Sequence, residues 1–216
     1  MSMKLNSARH IGSAFLLTWE AISDGRFLSA LREQVFRARI ATPTVRDIAQ
    51  LDVDEQALEA DYEFFELKAD DLVGGEWTFA VPSRRIKASR YLEKGVRGFA
   101  VARGSVILGD VWCLVVDGTN QSICRADLDM LGIQCEPGDV YGMDMFIAPE
   151  WRGKNLAIPL QLYFQSVLTA EGCEKVYGYF WDDNLPAIWM HRKLEYRELP
   201  KRKVSKFFCF RRAAPV

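Results

Sequence analysis

Several signals are missing from this sequence. No apolar run approaches the ~20 residues that a membrane-spanning helix requires. Ile11 to Trp19 is a short apolar stretch behind Lys4 and Arg9, but Glu20 closes it and no small-residue cleavage pattern follows. Neither a signal peptide nor stable membrane insertion is expected, and the chain reads as cytoplasmic. An excess of one charge is missing too: 28 Lys and Arg face 29 Asp and Glu, for a net charge of −1. No global field draws the protein to nucleic acid, which is excluded as a main partner. The five cysteines (113, 124, 135, 173 and 209) are odd in number and include no C-x-x-C pair, so neither a metal site nor a disulfide framework is expected. Only two histidines occur, His10 and His191. A dinucleotide fingerprint, a P-loop, a Ser/His/Asp order, internal repeats and low-complexity tracts are all lacking.

What remains is apolar and aromatic. Of the 216 residues, 49% are hydrophobic, and six Trp and thirteen Phe are among them. That is ample for one packed domain with an extension. The first fifty or so residues read as helical. Phe15, Trp19 and Ile22 recur at helical spacing up to Ser23-Asp24-Gly25. A second helix carries Phe27, Leu28, Leu31 and Val35, and Thr42-Pro43-Thr44 ends it. Residues 1–58 are therefore expected to form a helical extension that covers a sheet or supports a homodimer.

Residues 59–216 read differently. Strands are expected at Tyr62 to Ala69, Phe99 to Ala102, Val106 to Val116, Val140 to Ala148 and Lys175 to Trp181. Irregular helical structure fills Asp70 to Lys94, and a polar connection runs from Gly118 to Gly138. Leu156 to Ala170 is a helix with Leu156, Leu160, Phe164 and Val167 as its apolar stripe and Gly172 as its stop. Asn184 to Leu194 is a shorter helix. Tyr196 to Leu199 and Lys203 to Arg211 are expected to pair as a closing hairpin. The fold class is α+β: a mixed, mostly antiparallel sheet flanked by helices.

One motif carries chemistry. In Met145 to Ala157, M-F-I-A-P-E-W-R-G-K-N-L-A, a strand stops at a proline, a basic loop follows and a helix begins. The N–H groups of a helix's first turn have no intrahelical acceptor, and the helix dipole favours anions there. A loop feeding that terminus can wrap a pyrophosphate, with Arg152 and Lys154 adding charge.

These residues resemble the acyl-CoA signature of the GNAT superfamily, R/Q-x-x-G-x-G/A after a strand and before a helix. Arg152 fills its first position and Ala157 its last. Asn155 stands where glycine is usual, and Asn is among the residues that most readily adopt left-handed backbone. Further on, N-L-P-A-I-W-M-H matches the family's N-x-x-A at Asn184 and Ala187. His191 holds the position of a frequent tyrosine, Glu195 that of a glycine and Tyr196 that of a phenylalanine. The resemblance spans roughly residues 60–212.

It implies a GNAT-like N-acetyltransferase that moves an acetyl or other acyl group from acetyl-CoA, as co-substrate, to the amine of a small molecule or peptide in a ternary complex, without a metal. It implies a cofactor site of Phe146, Ile147, Arg152, Gly153, Lys154, Asn155, Leu156, Ala157 and Asn184. Phe146 and Ile147 would offer main-chain groups to the pantetheine arm. For proton transfer it leaves His191, two turns beyond Asn184 on one helix face, and Asp144, whose partly apolar setting is expected to raise its pKa. Two other readings stay open: a degenerate fold that binds acyl-CoA or a protein partner without catalysis, which Asn155 and Glu195 favour, and an enzyme taking a longer acyl donor beside Met143, Met145 and Phe146.

Overall fold

A computed structural model describes residues 36–49, 61–207 and 210–216. The chain forms β1 (Phe36–Asp47), β2 (Glu63–Leu67), α1 (Ala69–Val73), β3 (Thr78–Phe79), α2 (Pro82–Leu92), β4 (Arg97–Arg103), β5 (Val106–Val115), α3 (Arg125–Leu131), β6 (Val140–Ile147), α4 (Ala157–Ala170), β7 (Lys175–Trp181), α5 (Leu185–Lys193), β8 (Arg197–Glu198), β9 (Arg202–Phe207) and β10 (Phe210–Pro215). Among the described residues the strands make one sheet, ordered β10-β9-β1-β7-β6-β5-β4-β2, with β3 on β5 and β8 on β1. Every pairing is antiparallel except β3 with β5 and β6 with β7.

Strands β2, β4, β5, β6 and β7 and helices α4 and α5 lie where the patterning puts them, and the β4–β5 hairpin turns at Gly104 as expected. The segment expected to be irregular helix also contains the short strand β3, and the expected polar connection contains α3. Two further expectations are corrected. The segment Thr42-Pro43-Thr44 does not end a helix; it lies inside β1, which runs antiparallel to β7 from Ala41 to Asp47. Residues 36–47 are thus part of the domain's sheet and not of an extension. Proline is tolerated because β1 changes partner there, from β9 (residues 36–41) to β8 (44 and 45), so no ladder donor is needed at Pro43. Pro43 still uses its carbonyl, which accepts from Leu199 N–H at 2.8 Å. The helices expected over residues 11–35 lie outside the described residues. The closing hairpin is also re-paired: β8 and β9 both bond β1, and the hairpin is β9 with β10.

Two apolar layers sandwich the sheet. On one face α4 and α5 cover Val111, Val140 and Val176, with Leu160, Phe164 and Leu168 of α4 pressed inward. Each of these three buried side chains contributes about 1.5–3 kcal/mol. The α4 stripe continues through Leu168, and Val167 is only half-buried. On the other face α2 and α3 cover Trp112, Tyr141 and Leu114. α4 ends as read, with Gly172 at φ 88° and Cys173 N–H bonding Leu168 O at 3.0 Å.

Candidate functional site

β6 and β7 run parallel for only two residue pairs, Val140 with Val176 and Tyr141 with Tyr177. They then diverge. The edge of β6 that faces β7 has no strand partner over Met143 to Ile147, so its outward N–H and C=O groups there, apart from the Ile147 carbonyl that Arg152 engages, are available to a ligand. On its other side β6 stays locked to β5, with a register shift between Trp112 and Cys113 that leaves Met143 as the extra residue of a bulge. The bulge resets the alternation, so Asp144 and Phe146 project to the α2 face while Met145 and Ile147 project to the α4 face. Gly109 permits the tight β5–β6 approach: a Cβ there would stand 2.9 Å from Phe146 O and against Ile147.

The gap opens into a cleft of about 860 Å³. Its walls include Met143 to Ile147, the loop at Arg152, Gly153 and Asn155, the first turn of α4, Asn184 and the inner side of α5. The loop has the backbone that the anion-cradle reading requires. Gly153 has φ 77° and Asn155 has φ 57°. The first bond of α4 joins Leu160 N–H to Leu156 O at 3.2 Å, so the N–H groups just before it open toward the loop, and Pro159 falls where a missing N–H costs nothing. Arg152 donates from Nε to Ile147 O at 3.2 Å and its guanidinium lies 5.9 Å from the Phe146 ring, at the cleft wall. Lys154 is not among the residues that line this cleft; it lines a separate depression with Tyr62, Arg103, Glu150 and Trp151.

Across the gap, Asn184 caps α5, its Oδ1 accepting from Ala187 N–H at 3.5 Å. His191 is half-buried against Phe180 and Tyr196, with ring centroids 5.2 Å and 4.8 Å away. Its Nδ1 lies 2.8 Å from Ala187 O, and a carbonyl can only accept, so Nδ1 carries the proton and Nε2 presents a lone pair. Nε2 lies 3.9 Å from the point where a Cβ on Gly178 would stand, beside the splay. Burial pushes the imidazole below its ordinary pKa, against the opposing pull of the Ala187 carbonyl and Glu198, so His191 is neutral at pH 7. Glu195, like Asn155, takes a left-handed backbone, at φ 59°, in the turn that closes α5. These two are the only non-glycine residues with positive φ among the described residues.

Asp144 does not behave as expected. Burial pushes its carboxyl up, but Arg84 at 2.7 Å and Lys87 at 2.8 Å outweigh that and hold it below its ordinary value. Arg84 also chelates the buried Asp110, which accepts from Trp112 Nε1 at 2.6 Å. Nothing in the residue spacing announced this cluster, because Arg84 and Lys87 are 60 and 57 positions from Asp144. A run of Arg84, Arg85, Lys87 and Arg90 reads as a solvated helix face, yet Arg84 is buried. The same α2 face of the cleft carries Tyr177, Tyr179 and Trp181 in alternation on β7.

No family model matches the sequence, and no curated protein matches it. Solved structures do resemble the fold. The GCN5-related glucosamine N-acetyltransferase region of a fungal multi-domain GH3 β-N-acetylglucosaminidase superposes with a TM-score of 0.57 at 14% identity, over 83% of this chain and 22% of that one. A tandem GNAT protein of the clavulanic acid biosynthesis pathway gives 0.54 at 16%, over 89% and 58%. A Drosophila protein gives 0.53 at 11%, over 82% and 54%, so this chain spans about half the length of that solved chain. No described helix is long and apolar enough to cross a membrane.

Proposed function

The chain has the GNAT fold, and from that premise we propose that it is an N-acyltransferase that passes an acyl group from acyl-CoA to an amine. The observation that carries this reading is the splay of β6 from β7, flanked on one side by a left-handed basic loop entering α4 and on the other by the capped start of α5. A phosphate-bearing ligand with a long neutral arm fits that arrangement. Backbone N–H groups and Arg152 meet the pyrophosphate, and the unpaired edge of β6 meets the arm. Acyl-CoA supplies an activated thioester. The amine nitrogen attacks the thioester carbon, the C–S bond breaks, and the amine's proton must leave. His191, with its Nε2 lone pair, is the group to accept that proton or return it to the departing sulfur. Asp144, kept ionised by its ion pairs with Arg84 and Lys87, is a poor proton acceptor and holds the two cations in place beside the cleft.

Asn155 and Glu195, which favoured a degenerate fold, both keep a glycine-like backbone, so that argument loses its ground. Met143, Met145 and Phe146 line the cleft and support a longer acyl donor as the second reading. The test is thermal stability with added CoA. CoA is expected to raise the Tm, because a ligand bound only by the folded state stabilises it. Arg152→Glu is expected to abolish the shift. An undiminished shift in that variant would refute the cradle. Thiol release from acetyl-CoA and from longer acyl-CoAs, with a panel of amines, then separates an enzyme from a binding protein and a short donor from a long one.

A further inference from the structure

α4 buries two carboxamides one turn apart, Gln161 at 7% and Gln165 at 0% exposure. Buried amides persist when their donors and acceptors are met. Here the order of the bonds can be worked out from one end, because that end is Arg46 of β1, which can only donate. Arg46 Nη1 bonds Gln165 Oε1. That turns the Gln165 amino group the other way, to Tyr196 Oη at 2.7 Å and to Gln161 Oε1 at 3.2 Å. Tyr196, whose oxygen accepts from Gln165, donates its own proton to Gln161 Oε1 at 3.4 Å. The carbonyl of Gln161 therefore faces inward and receives two donors. Flipping it would set its amino group against that of Gln165.

The consequence falls on Gln161 Nε2. It points at β6, where among the described residues it meets only the thioether of Met145 at 3.2 Å. Sulfur is a weak acceptor, and a carboxamide carries two N–H groups. Gln161 and Met145 both line the cleft between β6 and β7. A donor chain that begins at a guanidinium thus ends on an under-used N–H inside the cleft, one turn beyond Ala157. The ligand atom suited to a neutral donor in a buried setting is a neutral carbonyl oxygen. In an acyl-CoA, the stretch between pyrophosphate and sulfur carries two amide carbonyls.

We propose that Gln161 Nε2 donates a hydrogen bond to an amide carbonyl of the pantetheine arm, and that Arg46 sets the direction of that bond through Gln165 and Tyr196. This rests on the acyl-CoA reading. It makes Gln161 a binding residue, and Arg46 and Tyr196 positioning residues.

Isothermal titration with three probes tests it: CoA, acetyl-CoA, and adenosine 3′,5′-bisphosphate, which lacks the arm. Gln161→Met is expected to weaken CoA and acetyl-CoA equally, by about tenfold, the loss of one buried hydrogen bond. It should leave the bisphosphate unchanged. Arg46→Met should produce a similar loss, and the double variant should lose no more than Gln161→Met alone, since both remove the same bond. Tyr196→Phe, which keeps the ring, should lose about threefold and remains informative if Arg46→Met does not fold. Wild-type CoA affinity in Gln161→Met, a loss confined to acetyl-CoA, or additive losses in the double variant would each overturn the assignment. If the wild-type chain binds neither CoA nor the bisphosphate, the acyl-CoA reading itself is what has failed.

Discussion

The two flanks of the cleft are built on different physics. The α4–α5 flank is made mostly of neutral and backbone groups, with Arg152 adding charge at the loop: loop N–H groups, carboxamides, and an imidazole held uncharged by burial. The α2 flank is made of charges and rings: Arg84, Lys87, Asp110 and Asp144 beside Tyr177, Tyr179 and Trp181. Around the loop, polarity on the first flank is set locally, by a helix terminus and left-handed residues. On the second it is set by a cluster of buried charges brought together from distant positions. The stability of the second flank should therefore be the more sensitive to pH, because its buried charges depend on each other.

The largest expected effect tests that dependence. Arg84→Met leaves Asp110 buried without a counter-charge and Asp144 with Lys87 alone. It should cost about 3–5 kcal/mol in chemical denaturation, the usual range for stranding one member of a buried pair. Because the folded chain depresses the Asp144 pKa, the pair's contribution is present at neutral pH and lost as pH falls below the ordinary carboxyl value of about 3.9 toward the depressed one. Asp144→Asn should flatten that acid limb. An unchanged acid limb would mean that the pair contributes nothing measurable.

The next effect is catalytic and belongs to the neutral flank. His191→Phe should keep stability and CoA affinity while turnover falls by roughly a hundredfold, within the 10²–10⁴ usual for acid–base groups. His191→Tyr should retain more activity. In the wild type, a base whose pKa is lowered by burial stays active at neutral pH, so the rate should decline only below the ordinary imidazole value of about 6.5. A pH–rate profile with a competent amine checks both points, and wild-type turnover by His191→Phe would remove the residue from the chemistry.

A smaller effect is expected at the loop. Asn155→Gly should match or improve on wild-type CoA affinity. Asn155→Val should lose about 1–2 kcal/mol, the left-handed penalty for a side chain with no local hydrogen bond. Equal affinities for all three residues would show that the backbone at φ 57° does not shape the cradle. The smallest change should come from Lys154→Ala. The residue is exposed and lines the depression beside Glu150 and Arg103 instead of the cleft, so CoA affinity measured by titration should stay within about twofold, as for an exposed charge. A larger loss would extend the cradle beyond the cleft.

What local order could determine, the sequence determined. The strand–loop–helix around Arg152 and the positions of α4, β7 and α5 follow from patterns within about fifteen residues, and the left-handed backbone at Asn155 is what the family resemblance implies, since Asn stands there at a glycine position. Periodicity, proline and capping act over that range. Glu195 lies at the edge of what could be read: it stands at a glycine position, and only the structure shows that it accepts the same strained φ. Tertiary structure alone decided the rest. Thr42-Pro43-Thr44 looks like a helix stop, because proline is a local signal; its place inside β1 depends on a change of strand partner that no local rule encodes. Asp144 looked like a base with a raised pKa because its neighbours in sequence are methionines. Its neighbours in space are Arg84 and Lys87, and at such separations charge outweighs a partly apolar setting. The direction in which Gln161 points was beyond any sequence reading, since it is dictated by Arg46, 115 positions away, through two other side chains.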